Sequence, residues 1–466
     1  MNRRRWPVIG LCSAVCGGCA GPVDRPWENS TYESVQERYR EPDWHLASAP
    51  EGVVDWPASG IGSIEELSVD DAVRIAIANS PSLRGAGYRV DAASGRVTQA
   101  GAYPNPAFVF EAESLGSDDG TWGETIYKLE QEFVLGGKIR RARGVAEADE
   151  LAAQVAFVAE EFAVASRVTR AYFSCVAAEE RLSGLEEIAE VASRVMAAAA
   201  TRVDAGAATE PDRLRAEVMN EQAMIELESA RLDAAAARQS LASAMGLDGT
   251  IEMELSTRAD ELPHLGDRDE FLARVLEANS RVTLAQVALE RARRGHELAR
   301  AESVPNLVAS IGPRYSDPNN ETTLDFGLGI EIPLFDRNQG GIKAALADRL
   351  SAAAALRSVQ LELLAEAAQA WSAYEGALIR ATRYRALLMP KAERTLELIE
   401  TAYERGQADY LRLLDAQQVV VESRVSYVDA LRRLHEAAAL LRELAQSDAP
   451  WREAREAGNV DGEVTP

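Results

Sequence analysis

Whatever chemistry this 466-residue chain performs must come from 4 histidines, 4 cysteines and 74 acidic residues. The histidines His45, His264, His296 and His435 are scattered, and no H-x-x-x-H or Cys/His spacing that would hold zinc connects them. Each therefore reads as a surface or packing residue. Cys12, Cys16 and Cys19 crowd the N-terminus, and Cys175 alone remains in the body, so no intrachain disulfide framework forms there. Cys175 follows Phe173 in a helical run and reads as a small buried side chain. Gly136-Gly137 is no phosphate loop, because G-x-x-x-x-G-K-[ST] is absent. Most acids lie on amphipathic helical stretches, where a solvated face is their ordinary role. The expectation is no catalytic constellation, no cofactor and no metal site. A formal charge of −24 argues against a nucleic-acid partner and for a surface or lumen that tolerates cations.

Some acids have a more directed setting. In Thr323–Ile332, the residues Leu324, Phe326, Leu328, Ile330 and Ile332 share one strand face, and Asp325 and Glu331 share the other. Tyr127, Leu129 and Phe133 likewise oppose Lys128, Glu130 and Glu132, and Phe108 and Phe110 oppose Glu111 and Glu113. Four strands are expected, at 106–115, 123–134, 306–316 and 322–333. Each is about 10–12 residues long, enough for a tilted strand to cross a bilayer. A half-buried soluble sheet would alternate in the same way. Four strands cannot close a barrel alone, so a membrane reading requires several copies. Glu130, Glu132, Asp325 and Glu331 would then line the pore and favour cations.

The elements around these strands occur twice. Tyr103-Pro104-Asn105 recurs as Val304-Pro305-Asn306, and the turn Asp204–Thr209 recurs as Glu404–Asp409, each about 200 positions on. Leu214-Arg215-Ala216-Glu217 matches Leu414-Asp415-Ala416-Gln417 at the same offset. The period is too long for a solenoid unit and indicates a duplicated block: helix, two strands, two long helices. Helices are expected at 69–100, 139–204, 210–245, 268–302, 341–404 and 409–446. The second of these would extend about 100 Å. Leu411, Leu414, Gln418, Val421, Val425 and Val428 form a coiled-coil seam, and the runs Ala197–Ala200 and Ala352–Ala355 permit close helix approach. Gly136-Gly137 would turn the chain sharply from strand into helix, with Pro333–Gly341 doing the same in the second block.

The N-terminus reads as an export signal. Arg3, Arg4 and Arg5 precede a short apolar stretch, Val8–Gly18, and Gly17-Gly18 precede Cys19. That pattern resembles a bacterial lipoprotein signal with Cys19 as the acylated residue; Cys16 is an alternative acceptor, and a signal peptide cut without lipidation is the plainer reading. The boundaries that follow are 1–18 signal, 19–65 extended segment, 66–265 first repeat, 266–446 second repeat and 447–466 disordered tail. No later stretch has 18 consecutive apolar residues, so a membrane span would have to be made of strands.

Residues 65–446, with their duplicated blocks, strand pairs and turns, resemble the TolC-like outer-membrane efflux protein family. Leu129–Lys138 is similar to the strand-to-helix junction of its heavy-metal cation subgroup. The resemblance implies a mainly α protein with a transmembrane β part: a trimeric 12-stranded barrel, four strands per protomer, continuous with a long periplasmic α-helical coiled-coil barrel. It implies an outer-membrane, lipid-anchored location in a Gram-negative cell, and partners that are a homotrimer, a periplasmic adaptor, an inner-membrane resistance-nodulation-division pump and outer-membrane lipid. Gly206, Thr209, Gly406 and Asp409 match the tips that meet the adaptor, and Asp409 and Asp415 are candidate gate acids. The expected function is passive conduction of cargo, heavy-metal cations first, drugs or secreted proteins second. A non-conducting periplasmic coiled-coil lipoprotein is the rival of another class.

Overall fold

A computed structural model describes Gln36 and residues 66–113, 123–206, 208–249, 253–256, 262–317, 319–405, 407 and 410–446. The first half contains β1 (Glu66–Leu67), α1 (Val69–Asn79), α2 (Pro81–Ala100), β2 (Ala107–Glu113), β3 (Glu124–Phe133), α3 (Lys138–Asp204) and α4 (Glu210–Ala244). The second contains β4 (Glu254–Leu255), α5 (Arg268–Ala278), α6 (Ser280–Glu302), β5 (Leu307–Ser316), β6 (Glu321–Ile330), α7 (Gln339–Arg383), a π turn (Tyr384–Leu388), α8 (Met389–Glu404) and α9 (Tyr410–Ala445).

The 67 residues of α3 include no proline and many alanines, so nothing interrupts about 100 Å of helix. The helix carries little amphipathic bias because neighbours surround it: it packs against α1, α2, α4, α6 and α9. Among the described residues the helices bury three large apolar clusters and a small one at Val191, Val195 and Ala216. One joins Leu67, Val73, Val164, Val168, Tyr172, Leu241 and Met245. Its second-half counterpart joins Phe271, Val275, Leu363, Trp371, Leu434 and Leu441. A third, with Leu83, Val90, Leu151, Phe157 and Val287, binds α2, α3 and α6 across the two halves. Each such fully buried large side chain contributes about 1.5–3 kcal/mol.

Several expectations need correction. The helix expected at 69–100 is two helices. Ser80 leaves the helical conformation at φ −63°, ψ 117°, and Pro81, lacking an N–H, opens α2. The helix expected at 268–302 is likewise divided at Asn279, whose side chain accepts from Arg281 N–H at 2.8 Å. The segment 341–404 is broken by the π turn, where Met389 N–H donates to the Tyr384 carbonyl five residues back. Pro390 explains the widening: it has no N–H for Ala386, and in a regular helix its ring would collide with that carbonyl. Of the expected seam, Val421 is buried but Gln418 is exposed; the side chains of Leu411 and Leu414 lie outside the described residues. The short parallel pair β1–β4 was not anticipated. Tyr172 Oη lies 2.8 Å from the Leu67 carbonyl and 3.0 Å from that of Ser256, so it ties this pair to the middle of α3.

Candidate functional site: the strand wall and the hairpin tips

The four long strands form one antiparallel sheet in the order β2-β3-β5-β6. Its register lines up Phe108, Leu129, Ile311 and Phe326 in one row across all four strands. These side chains are 72%, 51%, 48% and 67% exposed, a contiguous apolar face that water would not tolerate without a cover. The opposite face is charged. Arg314 donates to Asp325 at 2.5 Å and to Glu124 at 2.6 Å, and Lys128 reaches Glu111 at 2.7 Å. The β3–β5 ladder is interrupted where Gly312-Pro313 faces Tyr127-Lys128. Proline offers no N–H there, and a Cβ on Gly312 would sit 1.7 Å from the Tyr127 carbonyl oxygen.

The four expected lining acids differ in circumstance. Asp325 is held by Arg314, and Glu132 accepts from Asn306 Nδ2 at 2.6 Å. Among the described residues neither Glu130 nor Glu331 has a side-chain partner, and Glu331 lies one residue past β6. Glu111, Glu113, Glu124, Glu130, Glu132 and Asp325 share this face with two cations, Lys128 and Arg314, so it keeps an acidic excess.

At the first strand-to-helix junction, Gly136 and Gly137 take φ of +72° and +67°. A Cβ on Gly136 would also press to 3.0 Å from Val304 Cβ. The second junction falls in the expected Pro333–Gly341 segment and makes the turn with different residues. Gly340 and Gly341 lie inside α7, and Asn338 takes the left-handed conformation at φ +54°. Its Nδ2 donates to the Ala299 carbonyl at 2.8 Å and to Glu302 at 2.9 Å, which holds an asparagine in a conformation it tolerates better than most residues. Gly341 clears the space for it, since a Cβ there would lie 2.2 Å from Asn338 Oδ1.

At the far end of α3, Gly206 turns at φ +68° with open space where a Cβ would project. Thr209 begins α4, its N–H and hydroxyl donating to Asp212 at 3.0 and 2.6 Å. Those bonds, the hydroxyl first, hold the Asp212 carboxyl below its usual range. Gly406 and Asp409 at the second tip lie outside the described residues, as does Cys19; Asp415 is exposed on α9.

Burial pushes the Cys175 thiol up to about 12, with Glu179 3.8 Å away adding to the effect, so it stays protonated. Phe173 stacks on His435 at 3.7 Å, fixing α3 against α9. Among the described residues no group of three or more His, Cys, Asp or Glu side chains is placed to hold a metal, and no helix is long and apolar enough to cross a membrane. Sequence reasoning passed over Arg314, Asn306 and Tyr172. Strand parity places Arg314 opposite the apolar row, and that signal was available; the contacts of Asn306 and Tyr172 cross more than 80 residues of chain and left no local trace.

The profile of the family described as outer membrane efflux protein matches residues 72–247 and 272–445. The chain belongs to that family. The efflux protein is 25% identical over 400 residues to the cobalt-zinc-cadmium resistance protein CzcC of Cupriavidus metallidurans, covering 86% of this chain and 95% of CzcC. It is 29% identical over 294 residues to the nickel-cobalt-cadmium resistance protein NccC of Alcaligenes xylosoxydans xylosoxydans, covering 61% of this chain and 65% of NccC. Its fold matches the crystal structure of CusC with a TM-score of 0.67 at 18% identity, over 81% of this chain and 91% of that one. The protein is thus an outer-membrane efflux channel, with its helical part in the periplasm. Members of the family are trimers that work with an adaptor and an inner-membrane pump, and the family is one of transport proteins rather than enzymes.

Proposed function

We propose that this efflux protein conducts heavy-metal cations, delivered by an inner-membrane pump of the resistance-nodulation-division class through a periplasmic adaptor. Three copies, four strands each, build a 12-stranded barrel continuous with a helical tunnel, and Cys19 carries the lipid anchor. The observation that carries the reading is the strand wall. An exposed apolar row faces one way, and an acidic face with two cations faces the other, as a lipid-embedded, cation-tolerant pore requires. The metal assignment draws on the names of CzcC and NccC. The pump selects the cargo, because the duct's acids line a wall rather than form a ligand cage. The tips at Gly206, Thr209, Gly406 and Asp409 meet the adaptor, and Asp409 and Asp415 ring the threefold axis at rest.

Growth of a deletion strain, with and without the restored gene, on a panel of metal salts, detergents and antibiotics tests the cargo. Selective hypersensitivity to one group of metals supports it. Sensitivity to drugs and detergents alone keeps the duct and replaces the cargo. Purified protein that gives no single-channel conductance in planar bilayers would leave a non-conducting envelope lipoprotein. For the gate, charge-neutral Asp409 and Asp415 variants with unchanged conductance and antibiotic leak would discard the ring.

A further inference from the structure

The two halves meet in the sheet at one joint, and that joint has a side-chain clasp. Where the end of β3 lies against the start of β5, Asn306 Nδ2 donates to Glu132 at 2.6 Å. Asn306 Oδ1 accepts from Lys138 Nζ at 2.6 Å, and Leu135 N–H points to it at 3.4 Å. Val304 closes over the backbone of Gly136. Both partners of this clasp occur a second time. Val304-Pro305-Asn306 repeats Tyr103-Pro104-Asn105, and Glu132-Phe133-Val134-Leu135 repeats as Glu331-Ile332-Pro333-Leu334.

The second pair does not meet within one chain. Asn105 precedes β2 and Glu331 follows β6, and these are the two edge strands of the sheet. Both residues are exposed, and among the described residues neither side chain has a partner. Tyr103, the counterpart of Val304, is 75% exposed. The register puts the start of β2 and the end of β6 at the same end of the sheet, the end that carries the first clasp. Four strands are too few to close on themselves, so the edges are left for other copies.

We propose that Asn105 of one copy clasps Glu331 of the next, joining β2 to β6 across the protomer boundary as Asn306 and Glu132 join β5 to β3 within it. This rests on the multi-copy barrel proposed above and specifies its joint. Carrying the β3–β5 register across by the repeat sets Glu331 opposite Ala107, Ile330 opposite Phe108 and Leu328 opposite Phe110. All the apolar residues then stay on the outer face and Glu331 on the acidic one. The interface is heterologous, β6 against β2, which excludes a two-fold pair and gives a ring where the rotation between copies closes, as in a barrel.

The test uses the purified full-length protein. Asn105→Asp sets a carboxylate against Glu331 and is expected to lower the SDS-resistant oligomer at least about tenfold relative to monomer. Adding Glu331→Lys is expected to restore it, whereas the same Glu331→Lys is expected not to rescue Asn306→Asp. In a second measurement, oxidation of the Ala107→Cys/Glu331→Cys variant should give covalent dimers and closed trimers, and the register-shifted Val109→Cys/Glu331→Cys variant should give far fewer. A wild-type trimer in native mass measurement, with neither rescue nor register-dependent crosslinking, overturns the joint and leaves the assembly standing. A monomeric wild type overturns the assembly itself.

Discussion

The two halves follow one plan with different residues, and the differences show which features the plan requires. Each half divides its short helical arm after a polar residue, but Ser80 does so with Pro81 behind it and Asn279 with side-chain capping alone. Each closes that arm against the end of its last long helix through a left-handed residue. In the first half this is Gly246 at φ +74°, where a Cβ would lie 2.8 Å from the Asn79 carbonyl oxygen. In the second it is Gln446 at φ +47°, whose Oε1 accepts from Ser280 N–H at 2.8 Å, while Asn279 Nδ2 donates to the Leu444 carbonyl at 2.7 Å. Backbone approach replaces hydrogen bonding, and the geometry survives. The long helices differ more: α3 runs unbroken past Gly184, whereas its counterpart is interrupted at Tyr384–Leu388. At Gly184 the missing side chain admits Val421 of α9, because a Cβ would lie 2.9 Å from Val421 Cγ1. An unbroken helix is thus compatible with the plan, and the break in the second half follows from Pro390.

Six substitutions sharpen this comparison. The largest effect is expected at the seam between the halves. Gly312→Ala drives a Cβ into the Tyr127 carbonyl, so the β3–β5 ladder must open. The folded channel should be lost from the outer membrane, as measured by the yield of protease-resistant protein. Normal yield would mean that the strands part there without cost.

Next, Pro390→Ala returns an N–H and removes a ring from a helix interior. Up to about 3 kcal/mol of local helix stability is regained. The expected result is a slowly exchanging amide at position 390 and one continuous helix like α3. A persistent π turn would show that the packing of Tyr384 sets the break. The reciprocal change, Gly184→Ala, is expected to cost about 1–3 kcal/mol by overpacking against Val421, read as a lower unfolding temperature.

A smaller difference separates the two tyrosines that tie loops to the long helices. Tyr172 serves the carbonyls of Leu67 and Ser256, while Tyr374 donates to the Pro263 carbonyl at 2.7 Å. Each change to Phe should cost about 0.5–1.5 kcal/mol, with Tyr172→Phe the larger because its hydrogen bond to Leu67 is buried, whereas that of Tyr374 to Pro263 is only partly so. Equal shifts in unfolding temperature would refute that ordering.

The smallest effect concerns pH. Arg293, and after it Arg294, hold the Glu290 carboxyl of α6 below its usual range. The folded state therefore gains stability at pH values above the ordinary carboxylate pKa, and loses that gain as pH falls through the lowered value. Glu290→Gln should flatten the acid limb of the stability profile slightly by lowering stability a little at neutral pH, where the gain is fully present, with the least change at the acid extreme, in urea titrations from acid to neutral pH. An identical acid limb in the variant would remove Glu290 from the account.

Much of this was legible in the chain because the signals are local and periodic. Alternation in Leu324–Ile332 fixed the faces of β6, and Gly136-Gly137 marked a turn that only positive φ can make. The breaks at Ser80 and Asn279 were missed because helical periodicity continues on both sides of them. The second junction was legible as Pro333–Gly341, but not the residue that makes its turn, because the conformation of Asn338 depends on acceptors in α6. Among the lining acids, strand parity gave the shared face but not the neutralisation of Asp325 by Arg314.

The sequence by itself determined the element types, the duplication, the two-faced strands and the family, since each is written in spacing that neighbouring residues impose on one another. Tertiary structure alone decided which acids are paired, where Tyr172 and Asn306 find their partners, and that β2 and β6 are the edges. Those outcomes depend on contacts between separate elements, for Tyr172 and Asn306 between residues more than 80 positions apart, and no local period encodes such a contact.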